Sequence, residues 1–191
     1  MEAEPKTLMY ITSGSLKGKK LRTVKGFFTR PLLTRVRKSL FDILGDTIQG
    51  TRFLDLYAGS GAVGIEALSR GAKEVVFVEV NPKCVKIIKE NLINCGVFSR
   101  AKIYQEDVLQ ILPFLLKQQD FSFIFVGPPY FKGLQDKTID IIEKCRRCLA
   151  ELIVQHSAKE KVNFERETIR VVEKRRYGDT CLTFLIKEKQ Q

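Results

Sequence analysis

The chain has 191 residues, of which 44% are hydrophobic and 29% are charged, and this composition excludes a disordered or collagen-like protein. No apolar run approaches the roughly 18 residues that a membrane-spanning helix needs, and residues 1–6 lack the basic start and apolar stretch of a secretion signal. We therefore expect a cytoplasmic protein with no membrane partner. The formal net charge of +11 slightly favours nucleic acid as a partner, although many soluble proteins are basic.

The basic charge is concentrated near the N-terminus, since residues 1–50 contain ten Lys or Arg and four Asp or Glu. Residues 9–22 form two short extended runs around Ser13-Gly14-Ser15, which predicts a β-hairpin. Thr29-Arg30-Pro31 interrupts the chain before residues 32–44, where apolar residues recur at helical spacing. The basic side chains of this region either form a solvated face or contact RNA. The candidates for such contacts are Lys17, Lys19, Lys20, Arg22, Arg30, Arg35 and Arg37.

Beyond residue 50, short apolar runs alternate with amphipathic stretches. Strands are predicted over residues 53–56, 75–78, 102–104, 121–126, 152–154, 169–172 and 182–186, and helices over 62–70, 82–94 and 136–149. This alternation predicts an α/β fold with a mostly parallel seven-stranded sheet and helices on both faces. A turn at Tyr177-Gly178-Asp179 adds an antiparallel strand. No linker interrupts residues 52–186, so we expect a single domain over 1–191, with a basic extension at 1–50 and a core at 51–191.

The cysteines and the single histidine give no sign of a metal site. Five scattered cysteines are not a disulfide framework, and we expect them to be reduced. Cys145 and Cys148 form a CxxC pair in a stretch with helical periodicity, but no second pair of ligands lies nearby to complete a tetrahedral zinc site. His156 ends an apolar segment and is predicted to pack in the core.

Residues 54–64 form a glycine-rich turn between the first strand of the core and the helix after it. Glycine allows a tight turn and a close approach of a ligand to the backbone. Glu79 ends the next strand, 20 residues after Gly59, where a carboxylate can accept hydrogen bonds from both hydroxyls of a ribose. Asp107 follows the third strand and can meet an adenine amino group. These features predict a nucleotide-like cofactor, and the glycine spacing fits a nicotinamide cofactor as well as S-adenosylmethionine.

A second motif follows the apolar run at residues 121–126. It reads Gly127-Pro128-Pro129-Tyr130-Phe131 and lies at the carboxyl end of a central strand. Consecutive prolines restrict the backbone and leave carbonyl groups that can point at a ligand. An aromatic ring beside them can stack on a base that has been flipped out of a helix. A nicotinamide dehydrogenase has no need of this arrangement. The candidate catalytic residues are Gly127, Pro128, Pro129 and Tyr130.

This motif resembles the Asp/Asn-Pro-Pro-Tyr motif of the amino-methyltransferases. More closely, the chain is similar to the RsmD family, bacterial methyltransferases that modify the N2 amino group of a guanine in 16S ribosomal RNA. The resemblance covers residues 9–187. It is carried by Gly14, Gly18, Leu21, Thr29-Arg30-Pro31, Arg35-Val36-Arg37, Leu40-Phe41, Leu54–Gly61, Glu66–Ala72, Phe77–Glu79, Pro128–Tyr130 and Tyr177-Gly178.

The resemblance implies a Rossmann-like class I methyltransferase fold with a small N-terminal hairpin and helix. This extension would hold 16S ribosomal RNA, within the small ribosomal subunit or its assembly intermediate, and the protein would be a monomer. The implied cofactor is S-adenosylmethionine. The residues assigned to its site are Phe41, Asp55, Tyr57, Gly59, Gly61, Glu79, Val80, Asp107 and Val108. The methyl group would pass directly to the amine, mainly through proximity and orientation, with no covalent enzyme intermediate.

The chain departs from the family pattern at Gly127, where the family has Asp or Asn. Glycine lacks the side-chain oxygen that would accept a hydrogen bond from the target amine. The loss of one such preorganised group slows a reaction by about 10²–10³-fold. Three alternatives therefore stay open: a catalytically weakened RNA-binding or ribosome-assembly protein, a methyltransferase of another nucleic-acid amino group, and a nicotinamide oxidoreductase.

Overall fold

The computed structural model describes residues 9–23 and 33–188. Within them, a two-stranded hairpin accompanies a seven-stranded sheet. The strands are β1 (Met9–Tyr10), β2 (Lys20–Leu21), β3 (Arg52–Leu56), β4 (Glu74–Val78), β5 (Ala101–Tyr104), β6 (Phe123–Val126), β7 (Glu151–Ser157), β8 (Ile169–Tyr177) and β9 (Thr180–Lys187). The helices are α1 (Thr34–Leu44), α2 (Ala62–Ser69), α3 (Pro82–Cys95), α4 (Val108–Gln118) and α5 (Leu134–Lys144).

The large sheet has the strand order β5-β4-β3-β6-β7-β9-β8. The first five strands in this order are parallel, and β9 runs antiparallel to both β7 and β8. Strands β3, β4 and β6 are almost continuously buried because helices cover both faces of the sheet. The hairpin, α1, α2 and α3 pack on one face, and α4 and α5 pack on the other. The predicted fold class is confirmed.

Two helices differ from the prediction. The sequence reading gives no helix over Val108–Gln118, and Pro113 in its interior lacks the amide hydrogen that a helix uses. Helix α5 ends at Lys144, whereas the prediction extended it to residue 149. The ammonium group of Lys187 donates to the carbonyl oxygens of Ile142, Glu143 and Cys145, at 3.0, 2.7 and 2.6 Å. This buried lysine of β9 satisfies carbonyls that the helix end leaves open. The Cys145–Cys148 segment therefore lies beyond the helix.

Strand β8 continues to Tyr177, past its predicted end at residue 172. It is the edge of the sheet, and most of its side chains are exposed, so they carry charge instead of an apolar pattern. His156 lies in β7 with both ring nitrogens in hydrogen-bonding distance, of the Ser157 carbonyl and the Thr183 hydroxyl. Its ring is buried and contacts Phe164, which confirms its predicted place in the core. Burial lowers the pKa of this imidazole.

A buried carboxylate joins the N-terminal hairpin to the core. Glu66 on α2 accepts hydrogen bonds from the backbone amides of Thr12 and Ser13, at 2.9 and 3.1 Å. It also pairs with Arg37 on α1, whose guanidinium group donates to the Tyr10 carbonyl. The prediction that Arg37 contacts RNA is therefore wrong, because its position on α1 turns it toward the core together with its apolar neighbours.

Among the described residues, no helix combines the length and apolar character of a membrane span.

Candidate active site

The glycine-rich turn and the proline motif follow the neighbouring parallel strands β3 and β6, at the carboxyl ends of both strands. Ala58 donates from its backbone amide to the Val78 carbonyl of β4, over 3.1 Å. The Gly127 amide donates to the Leu56 carbonyl of β3, over 3.4 Å. Because ligands of open α/β sheets bind in crevices at these strand ends, the two motifs can serve one site.

The glycine-rich turn leaves open space beside its backbone. Gly59 and Gly61 have positive φ angles, 57° and 76°, which glycine adopts readily. A Cβ atom on Gly59 would meet nothing within 4 Å, whereas a Cβ on Gly64 would come within 2.3 Å of the Phe77 ring. Gly59 thus allows the approach of a ligand, while Gly64 lets α2 pack closely on β4.

Glu79 holds the two loops of the predicted cofactor site together. One carboxylate oxygen accepts from the Gly59 amide at 2.8 Å and the other from the Asn81 amide at 2.9 Å. The residue is 9% exposed, so the carboxylate is fixed by backbone donors at the surface of the crevice. The structure brings Glu79 and Gly59 together, as the spacing predicts.

Asp55 and Phe41, two of the predicted cofactor residues, lie below the surface. Asp55 is 1% exposed and accepts a hydrogen bond from the Gly64 amide at 2.9 Å. Burial, with a smaller contribution from the charge of Glu79, raises the pKa of Asp55 to about 8. Phe41 is fully buried, with its ring 6.0 Å from that of Phe53. The prediction that these two side chains contact the cofactor directly is therefore wrong for this structure, because the core encloses both of them.

The other predicted cofactor residues lie at the same sheet edge with different exposure. Tyr57 shares a hydrogen bond of 2.9 Å with the Thr138 hydroxyl, and burial raises the pKa of its phenol to about 12. Val80 is exposed directly after Glu79. Asp107 is also exposed and caps α4 by accepting from the Leu109 amide. Val108 packs in the core. Val80 and Asp107 are thus accessible to a ligand, and Val108 is not.

The proline motif is held by residues from β7 and β9. The Tyr130 hydroxyl accepts from the Gln155 amide at 2.8 Å and lies 3.3 Å from the Thr180 hydroxyl. Pro128 is buried, and Pro129 and Tyr130 are partly exposed. The next residue, Phe131, has a φ angle of 60° and is 65% exposed. Its backbone amide donates to the Glu160 carboxylate at 2.6 Å. This bond fixes the backbone of Phe131, whose exposed ring lies directly after the proline motif.

The sequence reading missed Gln155, Thr180 and Glu160 as neighbours of the motif. None of them is close to Tyr130 in the chain, and no local pattern marks them. The pairing of β6 with β7 and of β7 with β9 brings Gln155 and Thr180 to Tyr130. Glu160, in the turn after β7, reaches the Phe131 amide.

The predicted RNA contacts on the hairpin are accessible. Lys17, Lys19, Lys20 and Arg22 are exposed, as is Arg35 on α1. Arg30 lies outside the described residues.

The hairpin is tied directly to the glycine-rich turn by a buried side chain. Asn91 on α3 accepts from the Arg22 amide at 2.8 Å and donates to the Ser60 carbonyl at 3.0 Å. The basic hairpin is therefore a fixed neighbour of the predicted cofactor site.

The seven-stranded order with an antiparallel β9, together with the glycine-rich turn and the proline motif, defines a Rossmann-like class I methyltransferase fold. The chain belongs to the RsmD family: the family model described as conserved hypothetical protein 95 matches residues 9–186. This match confirms the family resemblance and rules out the alternative that the chain is a nicotinamide oxidoreductase.

Curated relatives and solved structures agree with this membership. The chain is 41% identical to YlbH of Bacillus subtilis, a candidate rRNA methyltransferase, over 64% of this chain and 67% of the relative. It is 35% identical to ribosomal RNA small subunit methyltransferase D of Buchnera aphidicola, over 71% of this chain and 70% of the relative. The structure of YhhF, a candidate methyltransferase of Escherichia coli, superposes with a TM-score of 0.82 at 25% identity, covering 96% of this chain and 99% of that one.

Proposed function

We propose that this chain is an S-adenosylmethionine-dependent methyltransferase that modifies the exocyclic N2 amino group of a guanine in 16S ribosomal RNA. The observation that carries the proposal is the placement of two motifs at the carboxyl ends of the adjacent strands β3 and β6: the glycine-rich turn braced by Glu79, and Gly127–Tyr130. The first suits a nucleoside cofactor and the second suits a flipped base. The names of the curated relatives support the choice of small-subunit ribosomal RNA as substrate.

The residues at the glycine-rich turn fit the cofactor. The space beside Gly59 is open, and the Glu79 carboxylate, fixed by two backbone amides, retains lone pairs for the ribose hydroxyls. Val80 and Asp107 complete the accessible edge, where an adenine ring and its amino group would lie. Asp55 and Phe41 support this edge from within the core. When bound, the cofactor supplies a methyl group on a positively charged sulfur, which is a good electrophile.

The chain's own contribution to the reaction is position. The proline motif would orient the guanine so that its N2 lone pair faces the methyl group, with the carbonyls of Gly127 and Pro128 as backbone acceptors and Tyr130 against the base. The N2 nitrogen would take the methyl group that the cofactor supplies, the sulfur would keep the electron pair of the broken bond, and the N2 proton would pass to water. No residue forms a covalent intermediate, and a strong general base is not required.

The basic N-terminal region would hold the RNA. Lys17, Lys19, Lys20, Arg22 and Arg35 are exposed, and the backbone of Arg22 is linked through Asn91 to the glycine-rich turn. Phosphate neutralisation by such residues supplies most non-specific affinity for nucleic acid. We assign residues 1–50 to RNA binding and residues 51–191 to catalysis within one domain. The substrate is the small ribosomal subunit or its assembly intermediate, and the protein acts in the cytoplasm as a monomer.

A second candidate function is that of an RNA-binding or ribosome-assembly protein with little catalytic activity. One observation favours it: a Cβ atom on Gly127 would come within 2.6 Å of Cε1 of Phe125, so this ring fills the space where the side chain of an Asp or Asn would begin.

Transfer of labelled methyl from S-adenosylmethionine to small-subunit particles that lack the modification tests the proposal. We expect transfer by the unmodified protein, and a strong loss in Tyr130→Ala with retained affinity for the cofactor. Mapping the labelled nucleotide separates guanine N2 from another amino group. Binding of cofactor and RNA without transfer would establish the second candidate, and failure to bind the cofactor would overturn the methyltransferase proposal.

A further inference from the structure

Gln155 lies next to Gly127 at the carboxyl end of the sheet. Strands β6 and β7 are parallel neighbours in which Val126 pairs with Val154. The residues that follow this pair, Gly127 after β6 and Gln155 within β7, therefore lie side by side. Gln155 is 5% exposed. Its Oε1 atom is 3.5 Å from the position that a Cβ atom on Gly127 would take. A side-chain oxygen therefore lies close to the point from which an Asp or Asn at residue 127 would extend.

The orientation of this amide is set by Tyr130. The Nε2 atom of Gln155 donates to the Tyr130 hydroxyl over 2.8 Å. Because an amide carries its donor and its acceptor on opposite sides, this bond directs Nε2 toward Tyr130 and Oε1 toward Gly127. The same contact couples the amide to the aromatic ring on which the base would stack.

We propose that Gln155 is the side-chain hydrogen-bond acceptor for the target amino group, in place of the oxygen that Gly127 lacks. This inference rests on the proposed methyltransferase function. In the reaction, one of the two hydrogen atoms on N2 would form a hydrogen bond with Oε1 of Gln155. The N2 lone pair would then attack the methyl carbon. The carbon–sulfur bond breaks, and the proton leaves to water, because a neutral amide orients the amine without accepting its proton.

The chemistry of residue 155 separates an acceptor from a merely structural side chain. Gln155→Leu keeps the approximate volume and removes the acceptor. Gln155→Glu keeps an acceptor, and the Tyr130 hydroxyl can donate to the new carboxylate. In Gln155→Glu the acceptor is strongest when the carboxyl group is ionised, so activity should fall as the pH is lowered through its pKa. The unmodified protein has no such group at this position and should lack that step.

The test measures kcat, the KM for RNA, and cofactor affinity by calorimetry, on small-subunit particles. We expect Gln155→Leu to lose about 10²-fold in kcat, with the RNA KM and the cofactor affinity nearly unchanged, and Gln155→Glu to recover most of the rate above its carboxyl pKa. Thr183→Val is the matched control. Thr183 is also a buried polar residue of the same sheet, and it bonds His156 on the opposite face.

The outcomes distinguish this inference from the proposed function. If the unmodified protein transfers methyl and Gln155→Leu has the same kcat, the inference is wrong while the function stands. Equal losses in Gln155→Leu and Thr183→Val would show a general packing effect and would also overturn it. If Gln155→Leu does not fold, the pH step in Gln155→Glu decides, and its absence counts against the inference. If the unmodified protein transfers methyl to no RNA, the proposed function itself fails.

Discussion

The guanidinium group of Arg37 donates from Nε to Oε2 of Glu66 over 3.2 Å, and both side chains are fully buried. Desolvation lowers the pKa of Arg37, and the charge of Glu66 opposes that shift. The same carboxylate accepts hydrogen bonds from the backbone amides of Thr12 and Ser13. Glu66 therefore fixes both α1, through Arg37, and the N-terminal hairpin, through these amides, on α2. The pair thus acts at the junction between the basic extension and the core.

Breaking this pair should be costly. Arg37→Met leaves Glu66 with Arg70, whose Nε lies 3.1 Å from Oε1, as its remaining cationic partner among the described residues. Because one of the two buried charge pairs is lost, we expect the free energy of unfolding to fall by about 3 kcal/mol in urea titrations. Adding Glu66→Gln removes the charge and keeps an acceptor for the Thr12 and Ser13 amides, so the double variant should regain part of the loss. Lys38→Ala, which removes an exposed partner of Asp42, should cost less than about 1 kcal/mol. Similar costs for the two single variants would contradict the argument.

Asp55 should make stability depend on pH. Its pKa is about 8 in the folded chain, against about 4 when unfolded. Between these values the folded state binds the additional proton, so this group lowers the free energy of unfolding as the pH rises from about 4 to about 8, and contributes no further change above that. Asp55→Asn removes the effect and should be more stable than the unmodified protein at pH 8.5, by at least about 2 kcal/mol.

Chemical denaturation of Asp55→Asn at several pH values between 5 and 9 measures this difference. It should grow with pH and then level off. Asp120→Asn, at an exposed carboxylate that pairs with Arg147, is the matched control substitution. A gain for Asp55→Asn that is the same at every pH would show that the carboxyl group does not titrate in this range.

The hairpin lysines should contribute electrostatically to RNA affinity. Lys19 and Lys20 are exposed, and each phosphate contact on single-stranded nucleic acid adds about 0.7 to the slope of log K against log salt. The Lys19→Ala/Lys20→Ala variant should therefore bind more weakly at low salt, with a slope reduced by about 1.4. Fluorescence anisotropy with labelled RNA gives both quantities. Lys117→Ala on α4, an exposed lysine on the other face of the sheet, is expected to leave the slope as it is.

A side chain at residue 127 should compete with Phe125 for space. Gly127→Ala introduces a Cβ atom 2.6 Å from Cε1 of the Phe125 ring, and overpacking of this kind costs about 1–3 kcal/mol. Phe125→Leu removes the ring, so a double-mutant cycle in urea should show favourable coupling between the two substitutions. Additive effects would mean that the ring moves aside freely. In that case Gly127→Asp alone could restore an acceptor to the site.

Several elements could be predicted from local pattern because their signals are contiguous. Strands β3 and β4 could be predicted because short apolar runs mark strands that are covered on both faces. Each begins one residue before its predicted start. Helix α4 was missed because Pro113 interrupts its pattern, and the true end of α5 depends on Lys187, a residue of a distant strand. The predicted lysines of the basic region are exposed and their RNA contacts stay a prediction, whereas Arg37 is buried, because charge alone does not show which face of α1 meets the core.

The sequence by itself determined the strands of the core in chain order, every helix except α4, the glycine-rich turn with Glu79 and the proline motif. These are set by short-range spacing and by the rule that parallel strands bring their carboxyl ends to one edge. Only the tertiary structure decided that Arg37 is buried against Glu66, that Asp55 lies beneath the turn, and that Gln155 stands beside Gly127. The first and last of these contacts join residues that are far apart in the chain, and the burial of Asp55 depends on the packing of α2 against the sheet. Their geometry follows from how helices pack and strands pair, which no local pattern encodes.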